Sequence, residues 1–357
     1  MEGTTLNNES PAATCRNLSF LRNEELLCDG VLVAGSRRFS VHKILLAAES
    51  PYYRAMFTNG MIESSKKEIN APTDDPVLMD LILDYIYTKE LKLSMTNVFK
   101  VLPLADLMLM MDLKQTCCDF LEGHIDSSNA LDIEVFADQY SCVELRNKAR
   151  RHILENFPRV ARQSDAYKTL TPDTFFNYLN DDNLNIRKEE DLVEACYRWI
   201  EADEENRKSL LPKILKCLRL GMIEMDNFQR VVQENPMVQS TPGCKEVVNR
   251  AMKFLNDIEK YGNKDIDLKN PLVRPRIPSE VLVVIGGWSG GSPIAYFESY
   301  DTRADRWYSH TPIEEGTPRA YHGMVTHNDK IYLLGGFDGA QYYNSVNRFD
   351  PVQKKWE

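Results

Sequence analysis

The chain has 357 residues, of which 43% are hydrophobic and 27% are charged, and these fractions are typical of globular proteins. At roughly 100–200 residues per domain, this length predicts two or three domains. The 43 Lys and Arg residues against 53 Asp and Glu residues give a net charge of −10. This charge argues against a nucleic-acid partner, because a nucleic-acid-binding domain usually carries a basic face.

The sequence also argues against a membrane or secreted protein. No apolar run approaches the roughly 18 residues of a membrane helix, and the N-terminus lacks the basic start and apolar core of a secretory signal. We therefore expect a soluble, cytoplasmic protein with no membrane partner and with eight reduced cysteines. No Cys-x-x-Cys pair occurs, and the adjacent Cys117 and Cys118 diverge on a helix, so we expect no metal and no cofactor.

The N-terminal segment changes character near residue 17. Residues 1–16 are polar and small, which is typical of a flexible tail. Leu18, Phe20 and Leu21 then follow at a spacing that predicts a short amphipathic helix, and such a helix needs a partner surface.

Residues 17–122 combine strand and helix patterns, which predicts an α/β domain. Residues 30–34 and 38–41 are strand-like on either side of a Gly-Ser turn, and we expect a hairpin. Residues 42–57 have a helical pattern, which Pro51 should split into two short helices because proline fits a first helical turn.

Two later stretches of this domain are also helical. Residues 76–87 place four apolar side chains on one face: Leu78, Ile82, Tyr85 and Ile86. Thr96 or Asn97 can cap the helix that follows. Residues 107–111 (Leu-Met-Leu-Met-Met) fit either core packing, which we favour, or an adaptable binding face.

Residues 123–261 show helical patterns and no convincing strand, which predicts an all-α domain. The predicted helices cover residues 130–140, 143–155, 171–179, 189–202 and 244–258. Three prolines and little periodicity in residues 262–280 predict a linker, semi-rigid where the prolines cluster.

Residues 281–357 contain an internal repeat with an offset of 49 residues. Residues 281–288 (VLVVIGGW) match residues 330–337 (KIYLLGGF), and the same offset carries Trp307 onto Trp356. A period near 50 with a Gly-Gly pair and a trailing Trp is the kelch pattern, in which each unit is one blade of a β-propeller.

Three groups of residues now support a family resemblance. Residues 27–30 (LCDG), 39–43 (FSVHK) and 47–57 (AAESPYYRAMF) resemble the BTB domain, residues 123–261 resemble the BACK domain, and residues 281–357 resemble kelch repeats. In this order they resemble the kelch-like family. The resemblance implies an α/β BTB domain, an all-α BACK domain and an incomplete all-β propeller. It also implies a dimeric, non-catalytic adaptor that recruits a protein substrate to a cullin-3 ubiquitin ligase.

The resemblance also implies which residues bind cullin-3. In the family an apolar residue, any residue and a Glu follow the helix that ends here at Phe57, which points to Met61 and Glu63. Tyr140 and Val143 lie in the first helices after the BTB domain, which resemble the three-box that widens the cullin groove.

Dimer and substrate residues follow in the same way. Leu18, Phe20, Leu21 and Asp29 match the dimer interface, and His42 occupies a position that is usually buried and can support that interface. Gly30 departs from the family, in which a branched apolar residue is usual. The loops that bind substrates correspond to six residues: Trp288, Ser289, Ala320, Tyr321, Phe337 and Asp338.

Several alternatives stay open. The family's propellers have six blades, so a chain with two repeats is expected to be a fragment, a truncated isoform or an incomplete gene model. A truncated form can act as a dominant negative, and a scaffold or actin-associated protein without cullin-3 is the competing class. Residues 287–291 (GWSGG) match a nucleophile elbow around Ser289, but a strand pattern follows where a hydrolase needs a helix.

Overall fold

The structure is a computed structural model, and it describes residues 11–59, 66–261, 270–274, 276, 281–301, 306–310, 318–351, 353 and 355–357. Its contacts divide the chain into two compact units, Met1–Leu170 and Thr171–Glu357. No helix in the described part of the chain is long and apolar enough to span a membrane.

The first unit contains a three-stranded sheet in the order β2-β1-β3. Strand β1 (Gly30–Ala34) pairs antiparallel with β2 (Arg37–Val41) and parallel with β3 (Glu68–Asn70). The predicted hairpin is therefore confirmed. Gly35 in its turn has a φ of 56°, and an added Cβ would lie 2.7 Å from the carbonyl oxygen of Asp74, so only glycine fits there.

The described residues of this unit also form eight α-helices. They are α1 (Pro11–Asn23), α2 (Lys43–Glu49), α3 (Pro51–Thr58), α4 (Pro76–Thr88), α5 (Val98–Leu107), α6 (Met111–Glu122), α7 (Ala130–Gln139) and α8 (Val143–Gln163), and a 3₁₀ turn (Ala166–Thr169) follows. The predicted division at Pro51 is confirmed, because Ser50 lies outside both helices and its hydroxyl accepts a hydrogen bond from the Tyr53 N–H.

Three details of the first unit differ from the sequence-based expectations. Helix α1 begins at Pro11, so residues 11–16 of the expected tail are helical, while residues 1–10 lie outside the described part. Helix α8 continues past residue 155 through a kink at Asn156, two residues before Pro158, which lacks the N–H needed for a regular helix.

The third difference concerns the buried face of α4. The four expected residues do face the core, since Ile82 and Ile86 are buried and Leu78 and Tyr85 pack against it half-buried, but the structure also buries Met79, Leu83 and Tyr87. This helix is apolar on almost every side, so its periodicity does not select a single face.

The second unit begins with a helical bundle. Its helices are α9 (Pro172–Leu179), α10 (Glu189–Glu201), α11 (Glu204–Arg207), α12 (Leu211–Cys217), α13 (Met225–Phe228), α14 (Pro236–Ser240) and α15 (Cys244–Tyr261). Residues 123–261 are all described and contain no strand, as predicted. The ring of Trp199 stacks on Phe175 with centroids 4.2 Å apart, and both are fully buried in the bundle.

The C-terminal region contains two main sheets. Strands β4 (Leu282–Ile285), β7 (Phe297–Asp301) and β8 (Arg306–His310) form the first, and β9 (Gly323–His327), β10 (Lys330–Leu334), β11 (Val346–Asp350) and β12 (Lys355–Trp356) form the second. The short strands β5 (Trp288–Ser289) and β6 (Ser292–Pro293) pair with each other. The described residues form no closed propeller, which agrees with the predicted incomplete kelch region.

Ser50 joins α3 to the segment between α5 and α6. Its hydroxyl donates to the Met108 carbonyl at 2.7 Å and accepts from the Tyr53 N–H, and the residue is fully buried. We expect Ser50→Ala to lower the free energy of unfolding by about 1–2 kcal/mol, because a helix cap and a buried acceptor lose their partner. Urea unfolding followed by circular dichroism measures this. The control Thr58→Ala, at an exposed hydroxyl on the same helix, should change it by less than about 0.5 kcal/mol.

Candidate functional site

Phe57 lies near the end of α3 and is held from two sides. Its ring stacks on that of buried Tyr53 with centroids 5.7 Å apart, and the Lys43 ammonium lies 5.5 Å from the ring centre. A cavity of about 680 Å³ opens beside this helix, with Tyr52 and Met56 among its lining residues. Met61 and Glu63, the residues expected to bind cullin-3 from the following loop, lie outside the described part of the chain.

Tyr140 and Val143 lie on either side of the turn between α7 and α8. The Lys114 ammonium donates to the Tyr140 carbonyl at 2.7 Å and to Asp106 at 2.6 Å, which fixes this turn against α6. Burial acts to lower the pKa of Lys114, but the hydrogen bond to Asp106 and nearby negative charge raise it overall. Val143 remains 54% exposed at the edge of a cavity of about 260 Å³ between α6 and α8.

Residues 107–111, where α5 ends and α6 begins, alternate between exposed and buried side chains. Met108 and Met110 are buried in the core, while Leu107, Leu109 and Met111 are exposed. Together with Val143, these three exposed side chains provide apolar surface on the elements that line the two cavities. The alternation was not visible in the sequence, because Leu109 adopts a φ of 55° that breaks the helical spacing.

The expected dimer residues divide into exposed and buried groups. On α1, Phe20 is exposed, while Leu18 and Leu21 are half-buried. His42 is only 7% exposed; its ring nitrogens lie 2.8 Å from the Tyr87 hydroxyl and 2.9 Å from the Leu26 carbonyl. The His42 side chain therefore holds the loop that follows α1, and it is not exposed to a partner.

Asp29 also has an internal partner, since its carboxylate accepts a hydrogen bond from the Lys43 N–H at 2.7 Å. At Gly30 an added Cβ would lie 3.2 Å from the side chain of the same lysine, so a larger residue there requires that side chain to shift. The sequence reasoning missed Leu27 and Ile44, two strongly exposed apolar side chains that flank these residues. A single exposed apolar residue leaves no periodic signal.

The two repeats of the C-terminal region share one backbone geometry. Gly286 and Gly287 have φ values of 59° and 110°, and Gly335 and Gly336 have 62° and 109°. These left-handed values favour glycine, which explains the repeated Gly-Gly pair. Phe297 of the first sheet packs edge-on against Phe349 of the second with centroids 4.8 Å apart, so aromatic rings join the two sheets.

Three of the six residues expected to bind substrate form an aromatic cluster. The ring of Trp288 lies 5.5 Å from that of Tyr321 and 6.5 Å from that of Phe337, and Phe337 also contacts exposed Tyr342 at 4.7 Å. Trp288 and Tyr321 are exposed. We call Trp288, Tyr321, Phe337 and Tyr342 the aromatic patch.

The other three expected residues differ in their surroundings. Ala320 is buried, and its backbone exchanges two hydrogen bonds with that of Phe337 (2.8 and 2.9 Å), so it positions the patch. Ser289 is exposed on β5, and the strand β6 follows it where a nucleophile elbow requires a helix. Asp338 accepts hydrogen bonds from the N–H groups of Ala340 and Gln341 at 2.7 Å each.

The cysteines whose side chains the structure describes do not gather into a metal site. Among the described residues, no three or more His, Cys, Asp or Glu side chains are placed to hold a metal ion. Cys117, Cys118 and Cys142 are buried, and burial raises the pKa of Cys117 to about 12. A thiol with such a pKa is a poor nucleophile at neutral pH.

Comparisons with known proteins agree with this geometry. Residues 18–125 match the model of the BTB/POZ domain, residues 130–233 match the BACK model (BTB And C-terminal Kelch), and residues 279–309 and 318–357 match the Kelch motif. The chain belongs to the BTB–BACK–kelch family. Kelch-like protein 3 from Homo sapiens, Bos taurus and Mus musculus is 32% identical over 340 residues.

These alignments cover 94% of this chain but 57% of each Kelch-like protein 3. The chain therefore spans little more than half the length of the curated relatives that it matches. Its two kelch matches coincide with the two sheets that share the Gly-Gly geometry.

The kelch loop around Asp338 gives a prediction about pH. Hydrogen bonds from the Tyr343 hydroxyl (2.6 Å) and then from the Gln341 and Ala340 N–H groups lower the pKa of Asp338 from 3.8 to about 2. Because the folded pKa is the lower one, these bonds stabilise the loop above about pH 4, and this stabilisation is lost as the pH falls towards 2. Carbon NMR of the labelled carboxyl group should show a midpoint near 2. Tyr343→Phe should raise it, and a midpoint near 4 in the unaltered chain would contradict the geometry.

Proposed function

We propose that the chain is a dimeric, non-catalytic adaptor that joins cullin-3 to a protein substrate for ubiquitination. The observation that supports this most strongly is a continuous hydrophobic core in the first unit. Phe57 and Tyr140 both pack against this core, which extends from Leu32 in β1 to Ala149 in α8. The BTB helices and the three-box region are thereby held in one rigid arrangement, as a shared docking surface requires.

The proposed cullin-3 surface combines Phe57, Met61, Glu63, Tyr140 and Val143. In this proposal Met61 is an apolar anchor, and Glu63 makes charge-assisted hydrogen bonds with the partner or within its own loop. The exposed apolar side chains between α5 and α6 extend the surface. Apolar anchors surrounded by polar groups are typical of protein interfaces in which a few residues supply most of the affinity.

The proposed mechanism is proximity. An adaptor that holds cullin-3 at one end and a substrate at the other raises the effective concentration of substrate lysines near a charged ubiquitin-conjugating enzyme. No side chain of the adaptor has to take part in bond making. The strand that follows Ser289 supports this over the competing hydrolase function.

Dimerisation is proposed through α1 and its surroundings. Phe20 supplies exposed apolar surface, and Leu27 and Ile44 add to it. Asp29 and His42 support this surface from behind through their hydrogen bonds to Lys43 and Leu26. A dimer would present two cullin-3 sites and two substrate sites.

Substrate binding is proposed at the aromatic patch, with Ser289 and Asp338 at its border and Ala320 beneath it. Exposed aromatic side chains bury large areas on binding at a low cost in side-chain entropy. We propose that the adaptor acts in the cytoplasm. A scaffold that dimerises without binding cullin-3 is the competing function.

The proposal predicts the effect of a charge at the edge of the three-box. We expect Val143→Glu to weaken binding of the cullin-3 N-terminal domain by about tenfold or more, because it places a charge at a desolvated contact. Calorimetric titration of the full chain measures this, with Met61→Ala/Glu63→Arg as a second variant. Val135→Glu is the matched control, since Val135 is 64% exposed on the neighbouring helix α7 and lines neither cavity.

Equal binding by the native chain and Val143→Glu would contradict the proposed surface. Absence of binding by a well-folded, dimeric native chain would favour the scaffold function. Loss of binding in the Val135→Glu control as well would mean that the proposed site is misplaced.

A further inference from the structure

The segment before the first kelch strand lies against the helical bundle of the second unit. Leu272 and Val273 are buried, and the Gly221 N–H donates to the Leu272 carbonyl at 2.9 Å. An added Cβ at Gly221 would lie 2.8 Å from Phe254 and 2.9 Å from Val273, so the close approach requires glycine. We call residues 270–274 and 276 the strap.

The strap ends in a buried ion pair. The Arg276 guanidinium contacts both carboxylate oxygens of Glu189, at 3.0 and 3.4 Å, and the two side chains are 4% and 6% exposed. Arg276 also donates to the carbonyl groups of Leu179 and Asp181, at 3.3 and 3.1 Å. Removing one partner of such a buried pair strongly destabilises the local structure, because the other charge is left buried without compensation.

A second layer of charges surrounds this pair. Arg219 and Arg274 both reach Asp182 at 2.6 Å, and the Arg219 side chain donates to the Arg274 carbonyl at 3.1 Å. Glu189 also accepts from the Arg219 N–H at 2.9 Å. Glu189 is therefore bonded both to the bundle and to the strap.

The 49-residue repeat relates the strap to a strand of the second kelch sheet. Moving β9 (Gly323–His327) back by one repeat places its equivalent at residues 274–278. The first sheet has three strands in the described part of the chain, whereas the second has four. Arg274 and Arg276 lie at the start of this equivalent position, and their side chains bind carboxylates of the helical bundle.

We propose that Glu189 anchors the strap: it holds Arg276 in the bundle and so tethers the kelch repeats to the BACK bundle. Arg276 and Leu282 are six residues apart, so the chain between them spans at most about 20 Å. Residues 262–280 are then not a free linker along their whole length. This anchor needs neither cullin-3 nor a substrate, so it goes beyond the adaptor function.

Trypsin reports directly on the anchor in the full chain. Cleavage after Arg276 requires its side chain to leave Glu189 and enter the protease, so the initial rate follows the population of the released strap. We expect Glu189→Gln to accelerate this cleavage by about tenfold or more, since the charge that holds Arg276 is removed. Mass spectrometry of the peptide that begins at Ile277 gives the rate.

Two further variants sharpen the test. Asp182→Asn is the matched control: it removes the outer carboxylate but leaves the Arg276–Glu189 pair, so the rate should rise by less than about threefold. Arg276→Lys keeps a trypsin site and the charge but loses the two-pronged contact, and should also accelerate cleavage. It serves in place of Glu189→Gln if that variant does not fold.

Faster tryptic cleavage in these variants that is confined to the bond after residue 276 supports the anchor. An unchanged rate in Glu189→Gln and Arg276→Lys overturns it. An equal acceleration at tryptic sites within α10 and α15 also overturns it, because the pair would then only stabilise the bundle as a whole.

Discussion

The structure of the first unit depends on one hydrophobic core that strands and helices from two sequence regions share. This core includes Leu32 of β1, Leu113 of α6 and Leu145 of α8, all buried. Because α7 and α8 also contribute to it, the turn that carries Tyr140 is packed against the same core as the earlier helices. A partner that spans both regions therefore meets a preformed surface, and the entropy lost on binding is correspondingly smaller.

Polar groups with hydrogen-bond partners inside the chain serve a different purpose from the exposed apolar ones. His42 and Asp29 use their hydrogen bonds inside the first unit, and Glu189 does the same in the second. His42 and Asp29 hold the loop that follows α1, beside exposed Leu27, and Glu189 holds the strap that leads to the kelch repeats. In the proposed function, contact with partners is made instead by apolar side chains such as Phe20 and those of the aromatic patch, whose transfer out of water is favourable.

The sequence predicted features that local chemistry determines. Pro51 separates two helices because proline fits a first turn, and the repeated Gly-Gly pairs follow from positive φ values. It could not reveal the Arg276–Glu189 pair, since the two residues are 87 positions apart and each reads as an ordinary surface charge. For the candidate site, the kelch motif named Trp288 and Tyr321 as members of one site, and their rings are in contact in the structure. The burial of Ala320 depends on tertiary packing, which the motif does not reveal.

In the proposed function, this chain is a dimer that carries one cullin-3 per protomer. Light scattering on a size-exclusion column, with the full chain and an excess of the cullin-3 N-terminal domain, measures the mass of the complex directly. Two chains with two cullin-3 domains in one peak is the predicted result. A peak with the mass of the chain alone, with all cullin-3 eluting separately, would contradict the claim.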